Sequence, residues 1–297
     1  MSIDELNASF AISDHLTWVE GPGGLPIARA NFGHAETEIS LHGAHVLSFK
    51  IDGEPIIWLS KEAVFNGKKA IRGGVPVCWP WFADHPTDAD KPAHGVARTS
   101  EWRALKTEQL DDGIALELGL TDSEQTREVW DHAFELRLSV ELKADSLTVT
   151  LTSTNIDSIP LEFGCALHTY FAISGVHSAY ISGLENVGYI DSIDNDQRKV
   201  LADAIHIDRE VDRIYTQTES AVLIHDPDWD RTIRIDKTGS ASTVVWNPWI
   251  DKAARMSDFG DDEYLGMVCV ETTNAADDVR TVAAGESHTI SQTISLA

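Results

Sequence analysis

Hydrophobic and polar residues alternate with a period of two along much of this 297-residue chain. In residues 134–142, Phe134, Leu136, Leu138, Val140 and Leu142 share one face, and Glu135, Arg137, Ser139 and Glu141 share the other. A turn at Ala144–Asp145 follows, after which Leu147, Val149 and Leu151 alternate with Thr148, Thr150 and Thr152. Alternation of this kind predicts a β-hairpin with one buried face. Ile114, Leu116, Leu118 and Leu120 repeat the scheme upstream, and Ile233 and Ile235 repeat it downstream. Further strands are predicted near 36–51, 161–173, 220–225, 241–247, 264–271 and 287–295. Helical signals are short, at Lys61–Val64 and Ile250–Met256. Long amphipathic helices do not alternate with the strands, which argues against a doubly wound α/β fold. The pattern predicts an all-β protein, a large antiparallel β-sandwich with a few short helices, built as one domain over residues 1–297.

Composition narrows the partners. There are 23 basic and 48 acidic residues, a formal charge of −25. A field of that sign repels nucleic acid and anionic membrane, so neither is an expected partner. The opening residues MSIDELNASF carry no basic stretch followed by an apolar one, and no run approaches the length of a membrane span. Cys78, Cys165 and Cys269 are odd in number, widely separated and in apolar settings, which predicts buried thiols in a reducing compartment, the cytoplasm. No heptad or interface stripe stands out, so a monomer is expected.

Against this acidic background residues 65–106 run the other way, with seven basic and four acidic residues, a local +3. The segment contains AIRGGVPVCWPWFADHP, rich in prolines that fix the backbone and glycines that permit close approach. Its rings, Trp79, Trp81 and Phe82, suit stacking on the C–H face of a sugar. Arg72 and Arg98 are candidate phosphate ligands, because a guanidinium presents a fork of donors to phosphate oxygens. His168 in ALHTYF and Glu271 at the end of LGMVCV are ionisable groups inside apolar strands, costly there unless paired. Other features carry less. GPGG at 21–24 is a turn without a following helix, and His42 and His45 on one strand would face opposite ways. DFGDDE at 258–263 is expected to be a solvated turn, as is the Asp84–Asp90 loop.

Six motifs, IRGGVPVCWPWF, AHGVAR, ALHTYF, EVDRIY, VVWNPW and VCVETTNA, stand in the order found in the glucose-6-phosphate 1-epimerases, and from about Ser40 onward the chain resembles that family of the galactose mutarotase-like superfamily. The resemblance implies an isomerase that interconverts the α and β anomers of a hexose 6-phosphate. Position by position it implies that Arg72 and Arg98 hold the phosphate and that His168 is the general acid. Glu271 falls on the general base, and Asp212 on the residue that holds sugar hydroxyls. His94 and Trp81, singled out from the residues themselves, are also expected among the substrate contacts. Val96 replaces the family's phenylalanine, and Ala93 stands where some relatives have a substrate-binding glutamine. The chemistry agrees with these roles. Anomerisation needs a base for the C1 hydroxyl proton and an acid for the ring oxygen, and a carboxylate and an imidazole with pKa values tuned apart can exchange those tasks. No cofactor is expected. The competing readings are an aldose 1-epimerase for unphosphorylated hexoses, which would not need paired arginines, and a non-catalytic sugar-phosphate binder, which would need neither His168 nor Glu271.

Overall fold

A computed structural model describes residues 1–297. It contains twenty-four strands and three α-helices, none longer than the eight residues of Ile3–Phe10. No helix is long and apolar enough to cross a membrane.

The predicted hairpin lies within a nine-stranded sheet. Phe134–Lys143 pairs antiparallel with Ser146–Asn155, which pairs in turn with Ser287–Leu296. Gly113–Thr121 and Arg103–Gln109 extend one side, and Arg231–Thr238 and Val222–Asp226 lie on the other, followed by Tyr180–Ser182 and Ile205–His206. Phe134, Leu136, Leu138, Leu147 and Ile294 are fully buried, as the alternation requires. The opposite face is a ladder of hydroxyls: Thr148 to Thr293, Thr150 to Ser291, Thr152 to Thr289 and Thr154 to Ser287, at 2.8–3.0 Å. Each such cross-strand pair adds roughly 0.2–1 kcal/mol, so the register is fixed from both faces.

An eight-stranded sheet packs beneath it. Its strands run in the order Gln197–Val200, Gly188–Asp191, Val211–Thr216, Ser242–Asn247, Met267–Asn274, Cys165–Leu167 and Val77–Cys78, with Tyr170–Ala172 also on Met267–Asn274. A third sheet of five strands spans Leu16–Pro55. Buried residues of all three sheets join in one cluster of 57.

Several expected elements are broken. The 36–51 strand is two, Ala35–Ser40 and His45–Ile51, because Gly43 and Ala44 take positive φ in the turn between them. The 161–173 strand is interrupted at Gly164 and again at His168–Thr169. Lys61–Val64 is not helical: it is a turn in which the Lys61 N–H donates to Glu263 and the Glu62 N–H to the Ser60 hydroxyl. The second helical signal is a short helix at Trp249–Ala253. Two further helices, Ile3–Phe10 and Glu124–Val129, start from capping boxes at Ser2 and Ser123.

Because Leu138 lies at the centre of the hairpin with no exposed surface, Leu138→Ala should lower unfolding free energy by about 2–5 kcal/mol in urea denaturation. A loss under about 1 kcal/mol would show that this face is not packed core.

Candidate active site

The site grows from one strand register. On Met267–Asn274, Leu167 pairs with Thr272 and Tyr170 with Cys269. Continuing that register across the gap sets His168 directly opposite Glu271. The ladder opens there because the His168 and Tyr170 N–H groups turn to the carbonyls of Pro76 and Gly74. Cross-strand partners project to one face, so two rows form on it: Tyr170, Cys269, Trp246 and Asp212, then His168, Glu271, Val244 and Ile214. His168 Nδ1 lies 3.3 Å from Glu271 Oε1, and the imidazole stacks on Tyr170 with ring centres 4.9 Å apart. Trp246, Phe82 and His94 complete the ring around it.

Both members of the pair are buried, His168 at 7% and Glu271 at 1% exposure. Loss of hydration pushes the Glu271 carboxyl well above the usual range, helped by the negative charge of Asp212. The same burial, with the positive fields of Arg98 and Arg72, holds His168 well below an ordinary imidazole. Neither charged form is favoured alone, so the pair is best described as two groups sharing one proton. Glu271 Oε2 and His168 Nδ1 are buried without a hydrogen-bond partner, the pair being close but not aligned. Such geometry commonly tightens when substrate arrives.

Arg72 and Arg98 line one cavity of about 320 Å³, together with Lys68, Lys69 and Asp258. Arg72 donates to the Tyr170 hydroxyl at 3.0 Å and to both carboxylate oxygens of Asp258 at 3.3 Å. Three of its five N–H donors are so used, leaving two. Arg98 donates to the Ala93 carbonyl at 2.8 Å, and its Nε is buried without a partner. Tyr170 thus links the guanidinium pocket to the imidazole it stacks on.

The loop carrying Arg72 is held from behind. His42 Nε2 lies 2.8 Å from the Lys69 carbonyl and His45 Nε2 2.7 Å from that of Gly73. The two imidazoles therefore serve one loop from the end of one turn, contrary to the opposite faces expected of a continuous strand. Gly74 has φ of +67°, and a Cβ there would sit 2.4 Å from His45 Nε2, so glycine is required for that approach. From the nine-stranded sheet Gln292 donates to the Thr169 hydroxyl at 2.5 Å, beside the break that presents His168.

Asp212 lies one row from Glu271, 3.6 Å from Lys252 Nζ, with its carboxyl raised by burial. His94 adopts a positive φ of 63° and accepts the Ala83 N–H on Nδ1, which assigns its proton to Nε2. Trp81 is held apart from this group: its indole donates to the Pro92 carbonyl and its ring lines a neighbouring cleft of about 400 Å³ with Phe82, Trp130 and Ile214. The rings against His168 are those of Tyr170, Trp246 and Phe82 instead. DFGDDE is no mere solvated turn, because Asp258 pairs with Arg72, Phe259 is buried, and Glu263 binds Ser60, Lys61 and Gly260. Tyr170 stood in the quoted ALHTYF motif, whereas nothing local in the sequence marks Asp258 or Gln292 as a partner of the site.

Comparison with known proteins places the chain in a family. The chain matches the family Aldose 1-epimerase over residues 27–295. The chain belongs to the aldose 1-epimerase family. A protein of Cenchrus ciliaris provisionally named glucose-6-phosphate 1-epimerase is 38% identical over 244 residues, 79% of this chain and 73% of that protein. One of the same provisional name from Escherichia coli K12 is 35% identical over 265 residues, covering 88% and 87%. The crystal structure of a provisionally assigned mutarotase from Salmonella typhimurium superposes with a TM-score of 0.89 at 30% identity, covering 99% of both chains. As a member of the aldose 1-epimerase family, the protein is an isomerase that interconverts sugar anomers.

Burial sets a pH dependence of stability. His45 is fully buried and its pKa is lowered to about 3 by desolvation, from 6.5. Between those values the unfolded chain binds a proton that the folded one does not, so stability is whole above pH 6.5 and is lost on acidification. The slope is up to about 1.4 kcal/mol per pH unit per group, with His94 and His168 acting in the same direction. Urea unfolding between pH 6.5 and 4 should show a shallower slope for His45→Gln than for the wild type. Equal slopes would mean that His45 is not held neutral by the fold.

Proposed function

We propose that the substrate is glucose 6-phosphate, with related hexose 6-phosphates, and that Glu271 and His168 interconvert its anomers as base and acid. The observation that carries this reading is the shared cavity of Arg72 and Arg98, two guanidinium groups and two lysines in a chain of net charge −25. An unphosphorylated sugar gives no reason for that concentration of donors. Arg98, with a buried unpartnered Nε, and the two unused donors of Arg72 suit an anion with several acceptor oxygens. Asp212, with Lys252, is the proposed holder of sugar hydroxyls. His94 is the proposed wall beside the imidazole, and Trp81 acts at longer range through Phe82 and the adjoining cleft.

The proton movements balance without a free ion. Glu271 Oε2 takes the C1 hydroxyl proton as Oε1 gives its own to His168 Nδ1, and His168 Nε2 donates to the ring oxygen. The C1–O5 bond breaks, C1 becomes a carbonyl, and rotation about C1–C2 presents its other face. The reverse transfers close the ring as the opposite anomer. A buried pair sharing one proton avoids the cost of two separated charges in a dry site. We also propose that the protein works as a monomer in the cytoplasm, which its three free, buried cysteines suit.

Replacing Arg72 or Arg98 by Ala should raise KM for glucose 6-phosphate, by the equivalent of about 2–5 kcal/mol if the ion pair is desolvated. Slow turnover of free glucose should barely change. Equal losses on both sugars would assign these arginines to the fold.

Glu271→Gln and His168→Asn should each lower turnover by roughly 10²–10⁴-fold after the spontaneous rate is subtracted, with substrate binding retained. The double variant should fall by less than the product of the two, because the groups act in one exchange. Folded variants with near wild-type rates would overturn the assignment and favour a sugar-phosphate binding protein.

A further inference from the structure

Cys269 occupies the position next to Glu271 on the same face of the strand, and the proposed chemistry does not use it. The imidazole of His168, the thiol of Cys269 and the carboxylate of Glu271 present ligand atoms all within 4.8 Å of one another. A point between three such atoms lies no more than about 2.8 Å from each (4.8 Å divided by √3), whereas zinc bonds to sulfur, nitrogen and oxygen run at about 2.0–2.3 Å. Side-chain rotations of less than an ångström close that gap. Two of the three residues also carry unpaired acceptors, since Glu271 Oε2 and His168 Nδ1 are buried without partners. The donor set of nitrogen, sulfur and carboxylate oxygen matches the preference of zinc-class ions and not of calcium or magnesium, which take oxygen alone.

We propose that His168, Cys269 and Glu271 form an inhibitory site for a thiophilic divalent cation of the zinc class. Three protein ligands leave a fourth position for water, as in open zinc sites. On binding, the Cys269 thiol gives its proton to solvent and the His168–Glu271 pair releases its shared proton there as well, so thiolate, carboxylate and neutral imidazole bond the metal. Burial opposes that loss, which the charge of the ion offsets. The occupied site removes the base and the acid together, so metal and sugar phosphate exclude each other. Binding depends on the ligand set alone, whereas inhibition rests on the acid–base reading given above.

The test separates these two. Cobalt(II), a spectroscopic substitute for zinc, should give a thiolate-to-cobalt charge-transfer band in the near ultraviolet with the wild-type protein. Zinc should remove that band by displacement, and glucose 6-phosphate should weaken it by competition. Zinc should also raise the melting temperature and inhibit anomerisation. Cys269→Ala should keep its turnover, lose the cobalt band and bind zinc at least ~10–100-fold more weakly. A wild-type protein with no such band, or a Cys269→Ala variant as zinc-sensitive as the wild type, would overturn the proposal. A cobalt band in a protein without anomerase activity would leave the metal site standing and remove the acid–base reading instead.

Discussion

Two ionisable groups buried at one spot each lose most of their hydration, and in this fold the loss drives them in opposite directions. The Glu271 carboxyl is pushed toward its protonated form and the His168 imidazole toward its neutral one. At 3.3 Å neither can be treated as a separate titrating group. The burial that makes the pair expensive also makes its proton exchange cheap, because no water must reorganise around a new charge. That constraint explains why the surrounding side chains are rings and aliphatics with only a few placed polar atoms.

The placement depends on both large sheets. A continuous ladder along Met267–Asn274 would hold His168 like any other strand residue. The ladder opens because neighbouring N–H groups turn to Pro76 and Gly74, and Gln292 reaches from the facing sheet to Thr169. The loop behind Gly74 carries Arg72 and is itself pinned by His42 and His45. One structural unit therefore sets the angle of the imidazole and the reach of the guanidinium. A change at Gly74 should disturb both at once, since its φ of +67° is strained for a side-chain-bearing residue and a Cβ there would sit 2.3 Å from the Val46 carbonyl oxygen.

Much of the frame was legible from period-two alternation. The hairpin of Phe134–Lys143 and Ser146–Asn155 follows from which residues are apolar, and the structure buries that same set. His168 and Glu271 were legible as ionisable groups in apolar strands. Their pairing as acid and base came only from the family resemblance, because their contact depends on a register between segments about a hundred residues apart. The 61–64 signal failed for a related reason: the segment is a turn tied at Lys61 to Glu263, a residue far along the chain. DFGDDE likewise looked solvated because composition cannot show that Arg72 lies against Asp258. Trp81 was singled out by its motif, yet the indole is turned to Pro92 and other rings surround the imidazole. Contacts within one strand or turn could be read, and contacts closed by the tertiary fold could not.

The remaining tension is between a chain of net charge −25 and the sugar phosphate proposed as its substrate, itself an anion. Screening resolves it by distance. At physiological ionic strength exposed charges are largely screened beyond about 8 Å, while partly buried ones are screened much less. The acidic surface is therefore weakly felt at the cavity mouth, whereas Arg72 and Arg98, inside it, act at short range. Asp258 does not cancel them, since its carboxylate occupies only part of the Arg72 fork and leaves the Arg98 Nε without a partner. Selectivity for an anion can thus sit inside a strongly acidic protein, provided the recessed cations outnumber the recessed anion beside them, as Lys68, Lys69, Arg72 and Arg98 outnumber Asp258 in this cavity.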